Sequence, residues 1–273
     1  MHIEVVTLFP EMIRDGMRHG VVGRALERGI VSVGCEDPRA HVHDVHRTVD
    51  DRPFGGGPGM VLKPGPMAAA IAAAHGRAVA ASAARSVALP AGGIEAVRVP
   101  RIFLSAQGER FEQRHAAELA GQAAFVLVAG RYEGLDERVI ETSIDREISL
   151  GDFVLSGGEV AALAVMDAVT RLLPGVLGDE RSAQEESFAT GLLDWPHYTR
   201  PVDFAGHAVP AVLQGGHHAE IRRWRLKQAV GRTWLRRPDL IVKGGLPAEA
   251  SRLLDEFLAE REVKENDELD PRN

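Results

Sequence analysis

The sequence has little of what several classes of protein require. It contains one cysteine, Cys35, which has no partner for an internal disulfide and no second cysteine at metal-ligand spacing. No apolar run approaches the roughly 20 residues of a membrane-spanning helix, and the first residues lack the basic-then-apolar order of a signal peptide. We therefore expect a cytoplasmic protein with no membrane partner, in which Cys35 is a small core residue.

Length and charge narrow the class further. A chain of 273 residues with 45% hydrophobic residues can form one core-bearing domain of average size and a second, smaller one. The net charge of −7 argues against a protein that binds nucleic acid over its whole surface. A negative net charge is still compatible with a local basic patch.

Glycine is concentrated in three loops that each follow an apolar run. The most distinctive is residues 148–160, ISLGDFVLSGGEV, and the others are residues 126–134, VLVAGRYEG, and 103–108, FLSAQG. Such a loop can be a tight strand-to-helix connection without a ligand. In an open parallel sheet, however, loops of this kind gather at the carboxyl ends of the strands, where ligands bind. Three together favour a binding site.

The apolar pattern predicts an α/β fold with a parallel sheet. Short β-branched runs alternate with stretches of helical spacing, as in βαβ units. We expect the first strand to be central. The predicted strands are residues 2–9, 30–35, 101–105, 124–129 and 144–150, and the predicted helices of this domain are residues 11–28, 63–74, 109–120, 135–141 and 159–173.

Composition divides the chain into a large and a small domain. The first is expected to cover residues 1–177, with a dispensable alanine-rich surface insertion at 76–100. A polar linker follows at 178–190. The predicted second domain, residues 191–262, is helical, and residues 263–273 are expected to be a disordered tail.

Two charged segments are further candidates for function. The long loop at residues 44–60 combines aspartates and arginines with a GGGPG turn, and it is either functional or a surface loop of mutually paired charges. Residues 219–237 predict a helix with Arg222, Arg225, Arg232 and Arg236 on one stripe. That stripe would suit phosphate contact, or it is a solvated basic face.

Five motifs in order resemble one known family. They are VDDRPFGGGPGM at 49–60, GRYEGLDERV at 130–139, GDFVLSGGE at 151–159, LLDWPHYTRP at 192–201 and HAEIRRWRLKQ at 218–228. Together they resemble the bacterial tRNA (guanine37-N1)-methyltransferases of the SPOUT class. The resemblance implies an α/β domain with a C-terminal trefoil knot, a small C-terminal helical domain, a homodimer, and S-adenosylmethionine bound in the knot. It also implies a tRNA with guanosine at position 37 as substrate, and a possible need for Mg²⁺.

The same resemblance implies site residues. Glu186, from the partner subunit, would be the general base, Arg171 would stabilise charge at O6 of the guanine, and Asp50 would lie near the target base. The tRNA-binding residues would be Arg222, Arg225, His197 and Tyr198. The cofactor-binding residues would be Leu104, Gly108, Gly130, Tyr132, Glu133, Leu150, Gly151, Asp152, Phe153, Val154, Leu155, Gly157 and Gly158.

Some positions depart from the family pattern. Ala106 stands where the family has proline, Phe153 where it has tyrosine, and Trp195 where cysteine is common. Glu186 replaces the family's aspartate, and the neighbouring Glu185 is the alternative base. Two rival functions stay open, a catalytically idle RNA-binding protein and a SPOUT methyltransferase acting on ribosomal RNA or on a ribose hydroxyl.

Overall fold

The computed structural model describes residues 1–86, 98–179 and 186–269. The chain forms two compact units, Met1–Glu180 and Arg181–Asn273. The predicted linker spans this boundary, and its residues 180–185 lie outside the described residues. The boundaries predicted at 177 and 191 stay predictions.

The first unit is built around a five-stranded parallel sheet, in agreement with the predicted α/β class. Its strands are β1 (His2–Val6), β2 (Ser32–Glu36), β5 (Arg101–Arg110), β6 (Ala124–Ala129) and β7 (Arg146–Ser149). The spatial order is β2-β1-β6-β5-β7, so β6 is the central strand and β1 is an interior one. Two shorter strands, β3 (Asp50–Asp51) and β4 (Val61–Leu62), pair antiparallel beside the sheet.

Helices cover both faces of the sheet, and the alternation of side chains along the strands gives each face its own core. Ile3 and Leu127 lie in one core, whereas Val126 and Val128 lie in the other. All six residues of β6 are buried, as expected for a strand covered on both faces. The helices of this unit are α1 (Pro10–Gly16), α2 (Gly20–Glu27), α3 (Pro64–Ser86), α4 (Gln113–Ala120), α5 (Glu137–Ser143) and α6 (Glu159–Thr170).

Helix α3 corrects the prediction of an irregular insertion at 76–100. The helix was predicted to end at residue 74, but it continues to Ser86. Ala70, Ala74, Ala78 and Ser82 recur every four residues and are fully buried, so one stripe of small side chains packs against the sheet. Alanine is the best helix former, and this propensity tolerates Gly76 within the helix. Residues 87–97 of the predicted insertion lie outside the described residues.

The second unit is mainly helical. Its helices are α7 (His218–Arg236), α8 (Pro238–Gly244) and α9 (Ala248–Leu269), and a small strand pair, β8 (Asp203–Phe204) with β9 (His207–Ala208), precedes them. Val230, Leu253 and Leu254 form its core. Gly231 lets the Phe257 ring lie directly against α7, where a Cβ would overlap the ring. The prediction of a disordered tail from residue 263 was wrong as far as 269, because α9 extends that far.

Candidate active site

The three predicted glycine loops meet in one pocket. The pocket has a volume of about 270 Å³ and lies at the carboxyl ends of β5, β6 and β7, which are neighbours in the sheet. Its lining comes from residues 103–107, 130–134, 148–151 and 153–158, with Ala161 from the first turn of α6. The geometry is that of a ligand site at the carboxyl edge of a parallel sheet.

The first loop is a bulge within β5 rather than a loop after it. Leu104 and Glu109 both pair with Ile148 of β7, so residues 105–108 leave the ladder, and residues 105–107 line the pocket before the strand resumes. Gly108 makes the return possible, because a Cβ there would overlap the backbone of Glu147 and Ile148. Excursions of this kind often occur next to functional sites.

The second loop, residues 130–134, follows the central strand. Tyr132 has a positive φ of 59°, which is uncommon for an aromatic residue, and its ring is exposed at the pocket. The Glu133 amide donates to the Met60 carbonyl at 3.0 Å, and the Leu62 amide donates to the Gly134 carbonyl at 2.9 Å. The GGGPGM segment is therefore tied directly to this side of the pocket.

The third loop places apolar side chains at the mouth of the pocket. Phe153, Val154 and Leu155 are all exposed, Val154 to 90%. The Ser149 hydroxyl accepts from the Gly151 amide at 3.2 Å and donates to the Gly151 carbonyl at 3.1 Å, which fixes the start of the loop. Large apolar side chains exposed together commonly mark a binding surface.

Gly157 and Gly158 allow the second and third loops to pack closely against each other. A Cβ at Gly158 would come within 2.8 Å of the Ala129 Cα, and one at Gly157 would overlap the Arg131 side chain. The Gly158 amide also donates to the Gly130 carbonyl at 2.8 Å. These glycines let the third loop lie against the second one, and they shape the pocket through these contacts.

Most of the predicted cofactor residues line the pocket, and two do not. Gly108 packs against the neighbouring strand, and Asp152 is exposed and pairs with Arg110 at 2.8 Å. The eleven that line it are Leu104, Gly130, Tyr132, Glu133, Leu150, Gly151, Phe153, Val154, Leu155, Gly157 and Gly158.

A buried ion pair that the sequence did not reveal lies beside the pocket. Glu159, the first residue of α6, is 0% exposed and accepts from Arg131 Nε at 2.8 Å and from the Thr7 hydroxyl at 2.8 Å. Arg131 stands in the second loop, 28 residues earlier, and Thr7 follows β1. No spacing rule pairs residues so far apart, so only the fold identifies this contact.

The three predicted catalytic residues are not brought together within the first unit. Asp50 is half-buried in β3, opposite Leu62, near the second loop. Arg171 caps the C-terminus of α6. At 1.5 Å per residue it lies roughly 18 Å along the helix from Glu159. Glu186 belongs to the second unit, where its carbonyl accepts from the Ala189 amide at 3.2 Å, and Glu185 lies outside the described residues.

The predicted tRNA-binding residues of the second unit occupy different environments. Arg222 is exposed, whereas the Arg225 guanidinium lies 4.8 Å from the centre of the Trp195 ring. Trp195, one of the departures from the family pattern, is thus the platform on which Arg225 stacks. His197 is hydrogen-bonded to Asp194 at 2.8 Å. The Tyr198 ring lies 6.3 Å from that of Trp224.

Charge on α7 is partly neutralised by α9. Arg223 donates to both oxygens of Glu256, and Lys227 donates to Glu260 at 2.6 Å. These pairs join α7 to α9. Of the predicted arginine stripe, Arg222 and Arg236 are exposed, whereas Arg225 and Arg232 are partly buried.

Two further properties concern metals and membranes. In residues 1–86, 98–179 and 186–269, no group of three or more His, Cys, Asp or Glu side chains is placed to hold a metal ion. A Mg²⁺ requirement therefore has no visible ligand set within those ranges. Each helix in the described part of the chain is too short or too polar to cross a bilayer.

The family model and the similar relatives agree on one protein family. The family model described as tRNA (Guanine-1)-methyltransferase TrmD matches residues 1–243. A tRNA (guanine-N(1)-)-methyltransferase of Methylococcus capsulatus is 54% identical over 266 residues, which cover 97% of this chain and 99% of the relative. The proteins of that name from Sodalis glossinidius and Escherichia coli are each 52% identical, covering 98% and 95% of this chain and 100% and 95% of the relative.

Proposed function

Because this chain belongs to the tRNA (guanine-1)-methyltransferase family, we propose that it transfers the methyl group of S-adenosylmethionine to N1 of guanosine at position 37 of tRNA. The observation that carries the proposal is the pocket, where the two glycine loops that belong to family motifs, residues 130–134 and 148–158, meet the loop at residues 103–108. A catalytically idle RNA-binding protein would not require a cofactor pocket of this kind.

The pocket has the chemistry that S-adenosylmethionine requires. Leu104, Leu150 and Leu155 supply apolar walls for an adenine ring, and the backbone of three loops supplies donors and acceptors for its polar edge. When bound, the cofactor supplies an electrophilic methyl group on a sulfonium. Main-chain contacts of this kind need no particular side chain, which explains how Ala106 and Phe153 can replace the family's proline and tyrosine.

The chain must supply a base and a cation for the reaction. N1 of guanine carries a proton at neutral pH, so a base must remove it as the nitrogen attacks the methyl group. Glu186 is the proposed base and holds that proton on its carboxylate. Arg171 is the proposed cation, and it stabilises the negative charge that develops at O6. Asp50 is proposed to lie near the target base, since β3 adjoins the second loop through Leu62 and Gly134.

A homodimer is proposed to complete the site. Within one chain, Arg171 lies at the end of α6 away from the pocket, which supports its delivery with Glu186 to the pocket of a second copy. The exposed side chains Val154 and Val160 suit such an interface. We also propose that the chain forms the family's trefoil knot around the third loop and that the second unit binds tRNA through Arg222, Arg225, His197 and Tyr198.

Subunit mixing tests the shared site. Leu155→Arg should block the pocket and Glu186→Gln should remove the base, so each homodimer should be inactive. After subunit exchange, a mixed dimer contains one site with both groups intact, and methylation should return to about a quarter of the parental rate for a statistical mixture. The absence of any recovery, with exchange verified by mass spectrometry, would show that each chain completes its own site.

The proposed base is tested by single-turnover methylation. Glu186→Gln retains shape but cannot accept the proton, so the rate should fall by roughly two to four orders of magnitude, while Glu186→Asp stays active. Glu185→Gln is the matched control and should keep the parental rate. A Glu186→Gln enzyme within threefold of the parent would remove Glu186 from the mechanism.

The function itself is tested with unmodified tRNA transcripts and S-adenosylmethionine. Nucleoside mass spectrometry should find 1-methylguanosine in a transcript with guanosine at position 37 and not in one with adenosine there. Methylation of ribosomal RNA or of a ribose hydroxyl instead would replace the proposed substrate, and binding of tRNA without any methylation would favour the idle RNA-binding protein.

A further inference from the structure

The ion pair beside the pocket connects three separate parts of the chain. The Thr7 hydroxyl, after β1, donates to Glu159 Oε1 and itself accepts from the Phe9 amide at 2.9 Å. Glu159 Oε2 accepts from Arg131 Nε of the second loop. Every oxygen of this buried carboxylate is therefore engaged, and its position at the start of α6 adds the favourable field of the helix N-terminus.

Arg131 extends this connection into the third loop. Its Nη1 donates to the Ser156 carbonyl at 3.2 Å, and its stem packs where a Cβ at Gly157 would otherwise lie. The guanidinium also lies 4.5 Å from the centre of the Phe9 ring. The Arg131 side chain thus joins Glu159 to the backbone of residues 156–157. Ser156 and Gly157 both line the pocket.

Stability alone does not account for this arrangement. A buried ion pair contributes little more than a well-packed apolar pair, because desolvation offsets most of the attraction. Its value is geometric, since the planar guanidinium with its fixed donors sets the distance between the groups it joins. The group that is held here is the backbone of residues 156–157, in a loop whose side chains at 153–155 are exposed. The Gly158 amide ties the end of this loop to the Gly130 carbonyl, and Arg131 adds a side-chain contact that fixes the residues just before it.

We propose that Arg131, held by Glu159 and Thr7, is a positioning residue that keeps the third loop in the shape that binds S-adenosylmethionine. Arg131 acts through the Ser156 carbonyl and Gly157 and takes no part in the transfer itself. The inference rests on the proposed function, namely that this pocket binds that cofactor.

Arg131→Lys separates this role from charge pairing. A lysine can still pair with Glu159, but its single ammonium cannot also donate to the Ser156 carbonyl in the same geometry. Losing that charge-assisted hydrogen bond should weaken S-adenosylmethionine binding about tenfold in calorimetry. The KM for the cofactor should rise by a similar factor. The kcat at saturating cofactor should stay within twofold of the parent, because the substitution loosens only the loop that binds the cofactor.

Arg101→Lys is the matched control. Arg101 pairs with Asp145 through Nε at 2.9 Å and Nη2 at 3.0 Å. This pair is more exposed than that of Arg131 with Glu159, and it lies at the start of β5, at the opposite end of the sheet from the pocket. Arg101→Lys should lower the melting temperature and leave cofactor affinity within twofold of the parent. Thr7→Val keeps the shape of the side chain but removes the hydroxyl that donates to Glu159 and accepts from the Phe9 amide, so it should weaken cofactor binding about threefold.

Several results would overturn the proposal. They are unchanged cofactor affinity in both Arg131→Lys and Thr7→Val, an equal loss of affinity in Arg101→Lys, or a fall in kcat at saturating cofactor as large as the rise in KM. A parent protein that does not bind S-adenosylmethionine at all would refute the proposed function as well, and this outcome is distinguished by the first titration.

Discussion

Replacing Arg77 with alanine should destabilise the first unit, because the buried carboxylate of Glu4 loses its main ion-pair partner. Glu4 of β1 is 1% exposed and accepts from Arg77 Nε at 3.1 Å and from Nη2 at 2.7 Å. The Arg77 Nη1 lies 2.6 Å from Glu36 of β2, and His2 is hydrogen-bonded to Glu4 at 2.9 Å. Arg77 stands in the part of α3 that the sequence had assigned to a dispensable insertion.

The size of the effect follows from what the substitution leaves behind. Removing one partner of a buried ion pair costs about 3–5 kcal/mol, because the other charge stays buried and unpaired. The Arg77 side chain is 45% exposed, so water can reach part of the gap, and His2 remains as a partner for Glu4. We therefore expect a loss of about 2–3 kcal/mol in the free energy of unfolding.

Urea denaturation at several pH values measures this loss. Burial opposes ionisation of Glu4, but hydrogen bonds from His2 and Arg77 hold its pKa below the ordinary value of 4.5. A lowered pKa stabilises the fold above the unfolded value, and this stability is lost as the pH falls through the folded pKa. The difference between parent and Arg77→Ala should therefore be largest near neutral pH and shrink on acidification.

The exposed pair of Arg138 with Asp136 is the control, and Arg138→Ala should leave the unfolding midpoint unchanged. If Arg77→Ala unfolds at the same urea concentration as the parent near neutral pH, α3 does not hold the sheet through Glu4 and the reasoning is refuted.

Two further predictions concern the pocket and the tRNA surface. Gly157→Val should abolish cofactor binding in calorimetry and also lower the melting temperature, because its side chain displaces Arg131 from Glu159; a variant that binds S-adenosylmethionine normally would remove the third loop from the site. Arg222→Ala should weaken tRNA binding and lower the log–log salt slope by about one unit without a change in melting temperature, whereas Arg225→Ala should also destabilise the second unit by freeing Trp195. An unchanged slope for Arg222→Ala would mean that this arginine is only part of a solvated face.

The strands and the glycine loops were predictable from the sequence, because each is indicated by a short, continuous stretch of residues. The strand at residues 124–129 was predicted with the bounds that the structure gives, and the three glycine loops do meet at one edge of the sheet. These predictions succeed because a strand buried on both faces must be continuously apolar, and because parallel strands place their following loops on the same side.

The features that were missed depend on contacts between distant residues. Arg77 and Glu4 are separated by 73 residues and Arg131 and Glu159 by 28, so neither pair leaves a periodic signal. The length of α3 was missed for a different reason, since alanine and glycine in residues 76–86 were interpreted as flexibility, although the buried alanines make a packing stripe. The packing role of Gly157 and Gly158 was not predicted either, because glycine is needed equally where a loop packs on another loop and where it packs on a ligand.

The most direct test of the account is to locate the methyl group on the product. A tRNA transcript with guanosine at position 37 is incubated with the protein and S-adenosylmethionine, digested with a base-specific ribonuclease, and sequenced by tandem mass spectrometry. The account predicts one added methyl group, at N1 of guanosine 37, and none when the protein carries Leu155→Arg. A methyl group at any other nucleotide or atom, or methylation that persists with the pocket blocked, would contradict it.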